Sequence, residues 1–257
     1  DILLTESLNP IRPSKVFVKG KLVAVNGELI ESPRKASYPA WLKNTIHIKR
    51  GAQASDFTLR ASGKTARVHL ISLYPDQIIN RADEAVLPIY EGVVQSDTQN
   101  DILKLAVVER YGKNGNIGIT FVKGFGLSHG ALASSVSHDH HNIVVVGTND
   151  ADMALCVKEI AQMQGGLVAA ADGKVLATLA LPIGGLLSQK PAAEVIQSLE
   201  NLNQVAHQLG CSLPAPFMTL SFISLPTVPE LGLTDYGLID VRKQALINTI
   251  IETISDE

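Results

Sequence analysis

One loop of the sequence concentrates side chains that can bind metals or transfer protons. The chain has only 7 histidines in 257 residues, yet three of them and an aspartate stand at consecutive positions, His138, Asp139, His140 and His141. Imidazoles bind divalent transition metals, and an aspartate can orient an imidazole for proton transfer. On an extended backbone His138 and His140 would point to the same side, whereas on a helical turn His138 and His141 would share a face. Either geometry suits a metal site or an acid–base pair.

The position of this histidine cluster, defined as residues 138–141, also favours a function. The apolar segment that follows, 142–148, is typical of a buried strand, so the cluster lies in a polar loop at the mouth of that strand. A solvated turn with surface histidines is the alternative. The residue types alone leave both interpretations open, because no second group with metal-ligand spacing occurs elsewhere and His129 is the only nearby addition.

Two further pairs of residues, one charged and one of glycines, are candidate parts of a site. Glu109 and Arg110 are adjacent after an apolar stretch, and a pair of this kind is most often the end of an element meeting solvent. Gly184 and Gly185 could cradle an anion. Their surroundings match neither a P-loop nor a dinucleotide-binding fingerprint, so a plain turn is the favoured interpretation.

The composition limits the class of protein. Hydrophobic residues make up 46% of the chain and charged residues 18%, enough to build one large domain or a large and a small one. The net charge is −3 and no basic stripe occurs, which argues against nucleic-acid binding. No segment approaches the ~18 uninterrupted apolar residues of a membrane helix. Cys156 and Cys211 lie far apart and are predicted to be reduced core thiols of a cytoplasmic protein.

The apolar pattern predicts two regions joined by a linker. Residues 1–30 show short strands, whereas residues 31–44 are rich in proline, serine and charge and are predicted to be the linker. The chain begins within an apolar strand and without a methionine, which we interpret as a cut end. In residues 45–257 the strands and helices do not alternate strictly, and hairpins imply antiparallel pairs. We therefore predict an α+β fold with a mixed or antiparallel sheet and helices, preceded by the short strand segment.

Local signals place several elements of the larger region. One helix is predicted over 149–164, with a cap at Asn149 or Asp150, and another runs from Pro191 to just before Gly210. Residues 102–108 fit a helix or a strand equally well. The remaining predictions are strands within 65–75, 115–126, 142–148 and 217–225, a hairpin over 166–181 turning at Asp172 and Gly173, a turn with a helix cap at Asp235 and Asp240, and a terminal helix over 241–254.

Three long stretches of the sequence follow one another in the order "GNIGITFVKGFGLSHGALASSVSHDHHNIVVVGTNDADM", "LPIGGLLS" and "PFMTLSFISLPTVPELGLTDYGLIDV". They resemble the C-terminal region of bacterial adenine deaminases, which belong to the amidohydrolase superfamily. The resemblance runs from the first residues to about Val241. It implies that residues 1–30 are strands of the superfamily's small β-sandwich and that residues 45–257 are the C-terminal α+β domain. The catalytic TIM-type barrel is not in this sequence.

The resemblance implies a complete enzyme that hydrolyses adenine to hypoxanthine and ammonia. Manganese or iron would be bound by the absent barrel, and no metal is firmly predicted for this segment. The implied partners are the chain's own N-terminal barrel, adenine and further copies of itself, without nucleic acid or membrane. We expect the segment to be inactive alone and to expose apolar surface at Leu3, Leu4 and Val16–Val18, through which it would self-associate.

The family motif changes the interpretation of the histidine cluster. The usual form resembles H-D-S-H-N, so the matching positions are His138, Asp139, His141 and Asn142, while His140 stands where serine is common. Tyr111 stands where the family often has histidine. We predict that His138, Asp139 and His141 line a polar pocket facing the active site, that Asn142 binds substrate, and that Glu109 and Arg110 belong to a second tier.

Three other interpretations remain open from the sequence. The cluster could be a buried hydrogen-bond network that holds the two regions together. The chain could be an independent metal-binding or small-ligand-binding domain, with His138 and His140 as metal ligands. It could also be an oligomerisation module, which predicts a large exposed apolar surface and no polar pocket.

Overall fold

The computed structural model describes residues 1–31, 36–74 and 77–255, and the chain divides into two compact units, Asp1–Tyr38 and Pro39–Glu257. Part of the predicted linker over 31–44 lies outside the described residues, and Ala40–Lys43 within it forms a 3₁₀ turn. No helix in the described ranges is long and apolar enough to cross a membrane.

The first unit is a small antiparallel sheet that buries little of its own surface. Its strands run in chain order as β1 (Ile2–Leu8), β2 (Ile11–Val18), β3 (Lys21–Val25) and β4 (Glu28–Leu29). Ala24 is the only buried residue of these strands. Leu3 and Leu4 are exposed, as predicted, and Val16 is half-buried. By itself this sheet therefore leaves apolar side chains in water.

The second unit is built on a large mixed sheet. Among the described residues ten strands form it, in the order β13-β12-β10-β11-β8-β9-β5-β6-β7, with β17 also paired to β5. The pairing of β5 with β9 is parallel and the other pairings are antiparallel. The strands are β5 (Thr65–Leu73), β6 (Asn80–Tyr90), β7 (Val93–Val94), β8 (Ile102–Val108), β9 (Ile117–Lys123), β10 (Ala131–Ser134), β11 (Ile143–Gly147), β12 (Gly166–Ala171), β13 (Lys174–Ala180) and β17 (Ile250–Ile254).

The remaining elements are a small sheet and helices on both faces of the large sheet. The small antiparallel sheet contains β14 (Leu231–Thr234), β15 (Gly237–Asp240) and β16 (Ala245–Ile247). The helices are α1 (Asp150–Met163), α2 (Ala192–Gln208) and α3 (Pro216–Ile223). The α+β prediction with a mixed sheet is confirmed.

Strand β8 shows how the large sheet is covered. Every residue of β8 is buried, which explains why its apolar run did not distinguish a strand from a helix. Leu105 packs in one core cluster with residues of α2 and α3, whereas Ala106 packs in another with residues of α1. Because neighbouring side chains of a strand point to opposite faces, α1 covers one face and α2 and α3 the other.

Local signals placed two helices correctly. Helix α1 begins after Asn149, whose side chain accepts a hydrogen bond from the Asp152 amide at 2.9 Å, and it ends at Gln164 in the left-handed conformation. Helix α2 follows Pro191, as predicted. Cys156 and Cys211 are free and buried, in different core clusters. Burial raises the pKa of the Cys211 thiol to about 11, so it stays protonated at neutral pH.

Three predictions about local structure were wrong. The strand predicted over 217–225 is helix α3, which is apolar on nearly all sides, so periodicity could not reveal it. The helix predicted over 241–254 is replaced by β16 and β17, because β17 pairs with β5 and tertiary pairing overrides local helix preference. No helix follows Asp235, which lies in the turn from β14 to β15.

Candidate functional site

Several loops meet at one end of the large sheet. Ile143, the first residue of β11, lies opposite Val108, the last of β8, so the loops before β11 and after β8 lie side by side. Ser134, the last residue of β10, lies opposite Leu167 at the start of β12. The Leu181 amide after β13 donates to the Gly165 carbonyl at 2.9 Å. Antiparallel pairing thereby assembles the loops 109–116, 135–142 and 181–187 at the same edge.

The backbone of the histidine cluster is tied to its own loop and to α3. The His141 amide donates to the Ser137 carbonyl at 2.7 Å, which closes a tight turn. The His138 amide donates to the Ser221 carbonyl of α3 at 2.9 Å. The Ser137 and Ser224 hydroxyls are 2.7 Å apart and buried, which adds a second tie to the region of α3. The cluster is thus held by structure rather than being a free surface turn.

The side chains of the cluster point in different directions. The ring centroid of His138 lies 6.0 Å from that of His141 and 4.6 Å from that of Phe222. The Nδ1 atom of His140 accepts from the Asn142 amide at 3.1 Å. Asp139 is exposed. The structure therefore brings His138 and His141 together and leaves the other two side chains of the cluster apart from them.

The cluster does not form a metal site of its own. Within the ranges that the structure describes, no group of three or more histidine, cysteine, aspartate or glutamate side chains is placed to hold a metal ion. The alternative of an independent metal-binding domain, with His138 and His140 as ligands, is not supported. These residues do not fit the manganese or iron that the family resemblance implied for the complete enzyme.

Burial shifts both internal histidines toward their neutral forms. The pKa of His140 is lowered mainly by burial, against an opposing effect of the Asp235 charge. The pKa of His141 is lowered by burial and, next, by the positive charge of Arg110. His140 Nε2 and His141 Nδ1 are buried and have no hydrogen-bond partner in the described structure. Both rings therefore offer an unused nitrogen at neutral pH.

Asn142 is buried and connects two loops. Its Oδ1 accepts from the Arg110 amide at 3.3 Å, and its Nδ2 donates to Asp235 Oδ1 at 3.1 Å. Asp235 also accepts from Asn114 at 3.4 Å. The sequence suggested only a turn at Asp235. Its place in the site was missed because its partners lie 93 and 121 residues away along the chain.

Glu109 is buried and holds the loop after β8. Its carboxylate accepts hydrogen bonds from the backbone amides of Tyr111, Lys113, Asn114 and Gly115. Bonds from amides to a carboxylate are stronger than neutral ones, so this one side chain fixes the loop conformation. Tyr111 in that loop donates its hydroxyl hydrogen to the His140 carbonyl at 2.7 Å. Glu109 thus sets the position of a loop that contacts the histidine cluster.

Arg110 is only 2% exposed and lies under a glycine turn. Its Nη2 donates to the Gly184 carbonyl at 3.0 Å, while Nε and Nη1 have no hydrogen-bond partner. A Cβ atom on Gly185 would lie 1.9 Å from Arg110 Nη1, so only glycine permits this approach. The predicted turn at Gly184 and Gly185 is present. The interpretation of Glu109 and Arg110 as a pair that meets solvent is wrong, because both side chains are buried.

An apolar cavity adjoins the histidine cluster. It has a volume of about 240 Å³ and is bounded by α2, α3 and the sheet, with His138 at its wall. The buried Oδ1 of Asn203 has no partner in the described structure. The sequence did not point to this cavity, because a strand rather than a helix was predicted for α3.

Comparison with known proteins defines the class of this α+β domain. Residues 77–245 match the family model described as "Adenine deaminase C-terminal domain". The chain belongs to that family, and the predicted resemblance is confirmed.

Curated relatives are similar over nearly the whole chain. The adenine deaminase of Desulforamulus reducens is 56% identical over 253 residues, which are 98% of this chain and 43% of that protein. The adenine deaminase of Dehalococcoides mccartyi strain CBDB1 is 43% identical over 247 residues, 96% of this chain and 43% of that protein. That of Moorella thermoacetica is 40% identical over 252 residues, 97% of this chain and 42% of that protein. The chain therefore spans about two fifths of the length of these relatives.

Proposed function

We propose that this chain is part of an adenine deaminase and that the complete protein converts adenine and water to hypoxanthine and ammonia. The observation that carries the proposal is the 56% identity over 98% of the chain to a protein named adenine deaminase. In this proposal the first unit, with residues 1–30, contributes strands of a small β-sandwich. Residues 45–257 form the domain that supports or closes the active site.

In this proposal His138, Asp139 and His141 line a polar wall of the complete active site. His138 and His141 lie with their rings near each other, and the lowered pKa of His141 supports a neutral imidazole that accepts a proton or a hydrogen bond from substrate. Asp139 is exposed and thus accessible to a partner surface. Asn142 contacts substrate through the amide hydrogen that Asp235 does not use.

In this proposal Glu109 is a positioning residue. Arg110, next to it, is part of the polar wall of the active site. Both oxygens of Glu109 accept backbone amides, so the carboxylate shapes the loop that carries Tyr111. The manganese or iron of the complete protein would be bound by the catalytic barrel that the family resemblance implies. Assembly into a homo-oligomer and a cytoplasmic location are further parts of the proposal.

Deaminase assays on the chain and on the longer protein test the proposed function. The 257-residue chain should release no ammonia from adenine, and the longer protein that contains it should be active. In the longer protein, His141→Ala should lower kcat/KM by about 10²-fold, as is usual for loss of a group that moves a proton. His129→Ala is the matched control, because His129 is an exposed histidine outside the cluster. Equal activity of the two variants, with both folded, would exclude the role of His141.

A further inference from the structure

Arg110 carries a positive charge that the described part of the chain does not neutralise. Two of its three guanidinium nitrogens have no hydrogen-bond partner, and the third donates to a neutral carbonyl, that of Gly184. None of the described ion pairs includes Arg110. The guanidinium group of an arginine keeps its charge in proteins, so the charge must be compensated by a partner. The guanidinium carbon of Arg110 lies 5.2 Å from the centre of the Tyr111 ring, which offsets only part of the cost of burying the charge. A buried charge without an anionic partner is among the most costly features of a folded protein.

The nearby carboxylates are engaged elsewhere. Glu109 precedes Arg110 in sequence, but its oxygens accept backbone amides of the loop 111–115. Asp235 accepts from Asn142 and Asn114. Asp139 is exposed, and its charge acts on His140 and His141. The local acidic residues therefore do not provide the missing counter-ion.

The surroundings of Arg110 hold further polar groups that are not fully used. His141 lies close enough for the Arg110 charge to lower its pKa, and the buried Nδ1 of His141 makes no hydrogen bond of good geometry. The turn at Gly184 and Gly185 covers the guanidinium with backbone alone, and a Cβ atom on Gly184 would meet nothing within 4 Å. The site thus combines N–H groups of the Arg110 guanidinium that make no hydrogen bond, the buried Nδ1 of His141, and the backbone of two glycines packed over the guanidinium.

We infer that Arg110 binds a carboxylate that the described residues of this chain do not provide. A carboxylate is the group whose charge and hydrogen-bond acceptors match a guanidinium best, and it would also give His141 Nδ1 an acceptor. Its source is either an aspartate or glutamate in the remainder of the longer protein, or a small free carboxylate. The inference goes beyond deaminase activity, because it concerns binding and stability, and it rests on the proposed function only for the existence of the longer protein.

The test uses the sign of a stability change. In the 257-residue chain, Arg110→Met removes an unneutralised buried cation and should raise Tm by several degrees. In the longer protein the same substitution should lower Tm if a side chain provides the carboxylate, because that carboxylate then loses its partner. Arg67→Met is the control, since Arg67 is an arginine paired with Glu252 at 3.0 Å and with Glu84 at 3.5 Å. This control should give the same small decrease in both proteins.

A titration of the unsubstituted proteins with sodium formate separates the two sources without any variant. The reference is sodium chloride at equal ionic strength. A formate-specific rise of Tm in both proteins, absent in Arg110→Met, identifies a free carboxylate as the ligand. A longer protein that is insensitive to formate but loses stability with Arg110→Met identifies a side chain. The inference is overturned if Arg110→Met lowers Tm equally in both proteins and formate changes neither, because the arginine is then already satisfied within this chain.

Discussion

The Nδ2 atom of Asn142 donates a hydrogen bond to Asp235 Oδ1 at 3.1 Å, and this contact joins the histidine loop to the turn from β14 to β15. The Oδ1 atom of the same Asn142 side chain accepts a hydrogen bond from the backbone amide of Arg110 at 3.3 Å. One buried side chain therefore connects three segments that are remote in sequence. Because these segments share hydrogen bonds, we expect a change in one of them to affect the other two.

Removing the Asn142 amide should weaken the whole domain. Asn142→Ala leaves a partly buried aspartate oxygen and a buried backbone amide without this partner, and should lower the free energy of unfolding by about 2 kcal/mol. Urea unfolding of the chain measures this change. Asn248→Ala is the control, because Asn248 is exposed, and it should change the free energy by less than about 0.5 kcal/mol. Similar values for both variants would show that the Asn142 contacts are not stabilising.

Two adjacent glycines should differ in their response to alanine. Gly184 and Gly185 have φ angles of +66° and +73°, so alanine is strained at either position, at a cost of about 1–2 kcal/mol. At Gly185 the new Cβ would also lie 1.9 Å from Arg110 Nη1 and would displace the guanidinium. Gly185→Ala should therefore cost about 1–3 kcal/mol more than Gly184→Ala. Thermal and urea unfolding give both values, and equal losses would mean that Arg110 moves aside freely.

The buried imidazoles should make the domain less stable in mild acid. The pKa values of His140 and His141 are lowered in the folded state, mainly by burial, below the value near 6.5 of an unfolded histidine. As the pH falls through 6.5, the unfolded chain takes up protons before the folded one, so the free energy of unfolding decreases until the folded pKa values are passed. Stability should be retained above pH 6.5.

Urea unfolding at pH 7.5, 6.5 and 5.5 measures this decrease. His140→Gln and His141→Gln should each make it smaller. His129→Gln is the control, because His129 is exposed, and it should leave the pH dependence unchanged. An unaltered pH dependence in both cluster variants would contradict the assignment of the acid sensitivity to these two rings.

The small sheet of the first unit should cause self-association of the isolated chain. Leu3 and Leu8 are 59% and 82% exposed, and apolar surface of this kind is a common contact between molecules. Sedimentation velocity at increasing concentration should show dimers or larger species, and Leu3→Lys with Leu8→Lys should reduce them. Ile196→Lys is the control, an exposed apolar position on α2. A monomer at all concentrations would count against this prediction.

Features that depend on neighbouring residues were predictable. The α1 helix was predicted because Asn149 caps it and an apolar stripe follows, and the hairpin from β12 to β13 turns at Asp172 and Gly173, as its sequence indicated. The mixed α+β class followed from the hairpins and from the order of strands and helices. The concentration of histidines at the mouth of β11 also marked the loop that the structure ties to α3.

The site itself was decided by tertiary contacts. Sequence alone determined that residues 138–142 form a polar loop before a buried strand and, by motif, the family of the chain. Only the folded structure placed Asp235 against Asn142, turned β17 into a partner of β5 and buried Arg110 beneath Gly185. The physical reason is the distance along the chain over which each kind of interaction acts. Caps, turns and periodicity act between residues a few positions apart, whereas pairing, burial and charge neutralisation depend on segments that meet only after the chain has folded.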